Sequence, residues 1–262
     1  MSVPDSYRPH RRVSEVGVDL AAPRRALAIG AHPDDVEFGC GATLAKWARA
    51  GCEIFHLILT DGSKGTWDPN VDTNELIVTR QREQRNAARC LGGTGDGHVI
   101  FAGWTDGELD SGLAQRAEVC RWIRHFAPDI VLGHDPWRRY RIHPDHRHAG
   151  LLACEAIVAA RDPKFFPDQD AKPHRPATLL LWEAEEIHHV ESCDESAIDA
   201  KVRALLSHRS QYETTMHLAA DDNGLASPQI EEFRRTITEE ARNAARPAGL
   251  ETGEAFALIA SL

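Results

Sequence analysis

The chain has 262 residues, 42% apolar and 27% charged, long enough to bury about 70–75% of its unfolded surface without disulfides or a structural metal. Acidic residues number 40 against 30 basic, the net charge is −10, the mean hydropathy is −0.40 and no apolar run approaches transmembrane length; these values exclude a disordered or membrane-spanning chain and argue against nucleic acid or an anionic membrane as partner. Six cysteines scattered singly with no C-x-x-C predict reduced core thiols in a cytoplasmic protein, and the Arg-rich opening with no apolar stretch predicts no secretory leader.

Residues 1–24 mix Pro, Arg and Ser without periodicity and read as an arm. Ala26–Ala31 is a short apolar run, the pattern of a buried parallel strand. A helix over 41–50 stops before Gly51. A second strand follows at 53–60, a helix at 73–91 ending on Gly92-Gly93, a third strand at 98–101, and a helix at 113–126 ended by Ala127-Pro128. The fourth strand is 129–133, and a helix covers 146–160. Strands at 177–182 and 188–191 and helices at 196–207 and 228–244, with a polar loop at 219–227, complete the pattern. Alternation of this kind predicts an α/β, Rossmann-like fold: a mostly parallel sheet with helices on both faces, one domain over 25–262 and a C-terminal elaboration.

Two motifs stand out. His32-Pro33-Asp34-Asp35 directly follows the first strand, and His143-Pro144-Asp145-His146 follows the fourth. Ligands of open α/β sheets bind beyond the carboxyl ends of the strands, where the strand order reverses. If strands one and four are neighbours, the histidines and aspartates of both motifs face one crevice. Imidazole and carboxylate suit zinc, and a catalytic zinc keeps three protein ligands and one open position. His32 and Asp35 are three apart, as are His143 and His146, so each pair falls on one side of a turn. Pro144 fits the first helical position, with His143 at the cap and Asp145 in the first turn.

The run from Ala31 to Thr43, which contains HPDD, resembles the opening signature of the LmbE-like (PIG-L) zinc-dependent de-N-acetylases, and His143 to Arg147 resembles their second signature. Leu59 to Gly62, Arg80 to Gly92 and Lys201 to Gln211 are also similar, so the likeness spans about 26–211. The resemblance implies His32, Asp35 and His146 as zinc ligands, and Asp34 as general base. It implies His143 as the group that stabilises the oxyanion or protonates the leaving amine, with Asp145 orienting His143 and Arg80 contacting substrate hydroxyls. Tyr140-Arg141-Ile142 departs from the Tyr-Gly of some sugar deacetylases.

The implied reaction removes an acetyl group from an N-acetylated sugar or glycoconjugate by metal-activated water, with zinc as cofactor and Fe²⁺ as an alternative in the cell. Zinc lowers the pKa of water toward about 7, and a free Asp accepts the proton. Three other readings stay open. They are an amidase acting on a thiol conjugate, a non-haem iron oxygenase using the same two-His, one-carboxylate set, and a binding module without catalysis, against which the intact Asp34 and His143 speak. A homo-oligomer is left open.

Other histidines carry less. His56 reads as a core residue, His134 at the end of the fourth strand as a neighbour of the ligands, and His148 as pointing elsewhere. His188-His189 reads as surface, and His208 has no assigned mechanism. Arg80, among Arg82, Arg85 and Arg89, reads alternatively as part of a solvated helix face with Glu83 as partner. Gly39 and Gly41 do not form a dinucleotide-binding pattern.

Overall fold

The computed structural model describes residues 16–93, 95, 98–219 and 227–262. In chain order the elements are β1 (Gly17–Val18), β2 (Arg25–Gly30), α1 (Asp35–Arg49), β3 (Glu53–Thr60), α2 (Thr73–Cys90), β4 (Val99–Trp104) and α3 (Leu113–Phe126). They continue with β5 (Ile130–His134), α4 (Pro144–Arg161), β6 (Thr178–Trp182), β7 (His189–Ser192), α5 (Glu195–Leu205), α6 (Pro228–Ala245) and β8 (Gly253–Ala260). The strands form one sheet in the order β1-β7-β8-β6-β5-β2-β3-β4. Every pairing is parallel except those of β8, which runs antiparallel to β6 and β7.

The inner strands are apolar on both faces, as a doubly covered parallel sheet requires. Leu27, Leu57, Val131 and Leu181 pack against Ile123 of α3 and Leu152 of α4. Ala28, Ile58, Leu132 and Leu180 pack against Leu44 and Trp47 of α1 and Ala204 of α5 on the opposite face. β2 lies between β3 and β5, so the strand order reverses between β2 and β5, and the segments after them open into one crevice.

Three expectations need correction. The segment expected as an arm contributes β1 to the sheet edge, beside β7, while residues 1–15 lie outside the described residues; so does most of the loop expected at 219–227. Strand β8 was not expected, and it slots between β6 and β7. Helix α1 begins six residues earlier than the expected residue 41.

The join across the kink in this helix is made from far along the chain. Cys40 is non-helical (φ −151, ψ 19) and kinks α1. The Ala42 and Thr43 N–H groups donate instead to Glu254 of β8, at 3.1 and 2.8 Å. Lys201 of α5 closes the arrangement, its Nζ donating to Glu254 at 2.7 Å and to the Phe38 carbonyl at 2.7 Å. Beside the kink, a Cβ on Gly39 would lie 2.4 Å from the Trp182 ring, so only glycine lets that ring approach. Among the described residues, no helix is long and apolar enough to cross a membrane.

Candidate functional site

Both motifs converge at the switch point, and His134 joins them from the end of β5. The carboxylate of Asp35 is the hub. Its Oδ2 accepts the backbone N–H of His32 at 2.7 Å and lies 3.4 Å from His32 Nδ1, and its Oδ1 lies 3.3 Å from His146 Nε2. His134 Nε2 stands 3.2 Å from Oδ2. Burial opposes ionisation of Asp35, but His146 and His134 outweigh it and hold the carboxyl well below its ordinary range.

The far side of the His32 ring is held by two further carboxylates. Its Nε2 lies 3.2 Å from Asp106 Oδ1 and 3.2 Å from Asp145 Oδ2. Burial works against a cation here, yet Asp106, Asp145 and Asp35 together raise the His32 pKa well above its ordinary value. The crevice therefore favours a positive charge, supplied by a proton or a metal ion.

Three overlapping groups bring their donor atoms within 4.8 Å of one another: His32, His143 and His146; Asp35, His134 and His146; His32, Asp106 and Asp145. Donors at about 2.0–2.1 Å from a tetrahedral zinc lie roughly 3.3 Å apart. Asp35 reaches both His32 and His146 at about that spacing, but through different oxygens, Oδ2 at 3.4 Å and Oδ1 at 3.3 Å, and the expected set His32, Asp35 and His146 is not itself one of the three groups. His32, with carboxylates on one ring nitrogen and its other nitrogen toward Asp35, has the carboxylate–histidine arrangement typical of metal ligands.

Asp34 occupies a different environment. It caps α1 at φ 106, ψ −26, a region non-glycine residues occupy only when their surroundings enforce it. Its N–H donates to Gln84 Oε1 at 2.9 Å, and its Oδ2 lies 3.6 Å from Arg80 Nη2. Burial, opposed by Arg80 and aided by Asp35, pushes its pKa up to about 6.

His143 caps α4 with Pro144 at the first position, as the spacing predicts. Its ring stacks on His146 at 4.5 Å and meets His32 edge-on at 4.7 Å. Burial, then His32 and His146, lower its pKa.

His32, Asp34, Asp35, Arg80, His143 and His146 line one cleft of about 770 Å³. Asp145 does not line it. Its carboxylate accepts from the Gly107 and Leu109 N–H groups at 2.6 and 3.3 Å and meets His32. Among the described residues it therefore orients His32, where the resemblance implied that it orients His143.

Arg80 is buried and not part of a solvated face. Its Nη1 and Nη2 donate to the Gly62 and Pro33 carbonyls, each at 2.8 Å, while Glu83 accepts from Ser210. Tyr140 is exposed and lies outside the cleft lining, whereas Arg141 beside it donates to Glu183 at 2.9 Å.

His56 is buried, as expected. His148 turns to Ser111 Oγ, 3.1 Å away. His189, expected at the surface, is buried against Glu191 at 2.7 Å. The sequence reading missed Asp106, whose pKa falls to about 2 because hydrogen bonding to His32 overcomes burial. A carboxylate followed by Gly107 just after a strand was the available signal. Trp182, whose indole N–H donates to His134 Nδ1 at 3.0 Å, was also missed. That bond makes Nδ1 an acceptor and turns Nε2–H toward Asp35.

Residues 27–157 match the PIG-L family, described as GlcNAc-PI de-N-acetylase. A diacetylchitobiose deacetylase of Thermococcus kodakarensis is 35% identical over 192 residues, 72% of this chain and 70% of that protein. An uncharacterised deacetylase of Escherichia coli, YaiS, is 33% identical over 187 residues, 70% of this chain and 90% of that one. Among solved structures, N,N'-diacetylchitobiose deacetylase from Pyrococcus horikoshii superposes with a TM-score of 0.78 at 27% identity, covering 91% of this chain and 84% of that one. The chain belongs to the PIG-L (LmbE-like) family. In class it is a deacetylase, an amide hydrolase.

Proposed function

We propose that this protein is a metal-dependent de-N-acetylase acting on an N-acetylated sugar or glycoconjugate, with His32, Asp35 and His146 holding zinc, or Fe²⁺ in the cell. The observation that carries the reading is geometric: two adjacent carboxylates face different partners, Asp35 toward His32 and His146 at 3.4 and 3.3 Å and Asp34 toward Arg80 at 3.6 Å. Their pKa shifts, Asp35 downward and Asp34 upward, agree with separate roles.

A divalent ion between the three ligands would act as a Lewis acid on the acetamide carbonyl and acidify water. Asp34, lining the same cleft as the three ligands, accepts the proton of the attacking water. His143, at the cleft wall and held neutral by burial and by His32 and His146, donates an N–H hydrogen bond to the developing oxyanion, and the proton that Asp34 took from the water passes to the departing amine. Asp106 and Asp145 hold the His32 ring in one orientation. Arg80 braces the floor beneath Asp34 and faces the sugar hydroxyls. The six unpaired cysteines suit a reducing cytoplasm.

The substrate class follows from the relatives, whose names specify diacetylchitobiose. A panel of N-acetyl glycosides, with diacetylchitobiose among them, incubated with zinc-loaded protein and assayed for free amine, tests the reading. Amine release from at least one glycoside supports it. Release confined to non-sugar amides would overturn the substrate class.

A further inference from the structure

Behind the floor of the cleft lies a buried polar cluster that the chemistry above leaves unused. Glu37 of α1, Gln84 of α2, His56 of β3 and His208 are all fully buried. Gln84 Nε2 donates to Glu37 Oε1 at 2.7 Å, and Gln84 Oε1 accepts the backbone N–H of Asp34 at 2.9 Å. His208 Nε2 lies 3.5 Å from Glu37 Oε2 and His56 Nδ1 lies 3.7 Å from Glu37 Oε1. Among the described residues, Glu37 Oε2 and all four ring nitrogens have no hydrogen-bond partner. The rings thus enclose Glu37 without taking over its bond to Gln84.

A carboxamide has two ends that differ only in what they bond: the oxygen accepts and the nitrogen donates. A carboxylate at one end accepts a donor and nothing else. Glu37 therefore turns Gln84 so that Nε2 faces Glu37 and Oε1 faces Asp34. The Asp34 N–H belongs to a backbone at φ 106, ψ −26, where a non-glycine residue stays only under external constraint. Rotation there would swing the Asp34 carboxylate away from the cleft and drag Asp35, the next residue, with it.

We propose that Gln84, aligned by Glu37, is a positioning residue that holds Asp34 in its strained conformation, so that the base and the metal-side carboxylate point in separate directions. The proposal rests on the reading of Asp34 as the base. It also gives a place to His208 and His56, as the walls that keep water from competing for Glu37.

The test uses the metal-loaded enzyme. Gln84→Met keeps the side-chain length and removes both hydrogen-bonding ends. Its kcat is expected to fall about tenfold or more, the scale of one buried hydrogen bond lost, with KM within about twofold and metal content at the wild-type level. Hydrogen exchange at the Asp34 amide should accelerate by a similar factor. Gln84→Glu alone sets two carboxylates 2.7 Å apart and should be impaired. The exchanged pair Glu37→Gln with Gln84→Glu restores one donor and two acceptors, so it should recover slow exchange and most of kcat.

An unchanged kcat in Gln84→Met overturns the proposal, as does an exchanged pair no better than Gln84→Glu. Should Gln84→Met not fold, the comparison of the exchanged pair with Gln84→Glu decides. The two levels separate through Asp34→Asn. Activity retained there overturns the base assignment, whereas an inactive Asp34→Asn beside a fully active Gln84→Met overturns only the positioning role.

Discussion

Replacing Asp34 with Asn should inactivate the enzyme and at the same time stabilise the metal-free fold. Asn has nearly the same shape and tolerates positive φ, so the strained backbone at φ 106 is preserved while the proton acceptor is lost. A lost general base is worth at least about 10²-fold in kcat. In the wild type, kcat/KM should fall at acid pH as Asp34 takes up a proton, at a pH below the metal-free value of about 6 because the bound cation favours the carboxylate; the variant should lack this limb. Stability runs the other way. The Asp34 pKa rises from 3.8 unfolded to about 6 folded, so its favourable contribution is complete below about pH 4 and is lost as pH rises through 6. At about 1.4 kcal/mol per tenfold in proton affinity, ionised Asp34 destabilises the metal-free protein by up to about 3 kcal/mol at pH 7–8. Urea unfolding of metal-free wild type and Asp34→Asn at pH 7.5 and at the acid end measures this. A variant that is both active near wild-type rate and no more stable at pH 7.5 would refute the reasoning.

Two further substitutions probe other joints of the account. His143→Ala should keep its metal by elemental analysis while kcat falls about 10²-fold, the scale of one preorganised donor removed from an oxyanion; parallel loss of metal would make His143 a ligand. Glu254→Ala strips the acceptor from the Ala42 and Thr43 N–H groups and from Lys201 Nζ. Breaking such a buried pair should lower the unfolding free energy by about 3–5 kcal/mol in urea titrations, and a loss under about 1 kcal/mol would show that the kink in α1 does not depend on it.

What the sequence made legible were features written in short range. Runs such as Ala26–Ala31 and 129–133 announce buried strands because both of their faces are covered. The two histidine–aspartate motifs announce the crevice because each delivers two polar side chains from one turn. Features settled at long range were not legible. The continuation of α1 past the kink at Cys40 is stabilised by Glu254, more than 200 residues away, and a local reading of Gly39, Cys40 and Gly41 breaks the helix there. Strand β8 grades from buried at Gly253 to exposed at Ala260 and becomes a strand only by filling the gap between β6 and β7. Asp145 was readable as a polar residue in the first turn of a helix, but its partner His32 comes from a segment 113 residues earlier. His134 owes its orientation to Trp182 and Asp35, neither near it in the chain.

Titrating zinc into metal-free protein while following amine release from an N-acetylated sugar tests the central claim most directly. Activity is expected to rise from near zero and saturate at one equivalent per chain, while His32→Ala and His146→Ala stay flat and bind no stoichiometric zinc. Full activity in the metal-free protein, or zinc-saturable activity in both histidine variants, would contradict it.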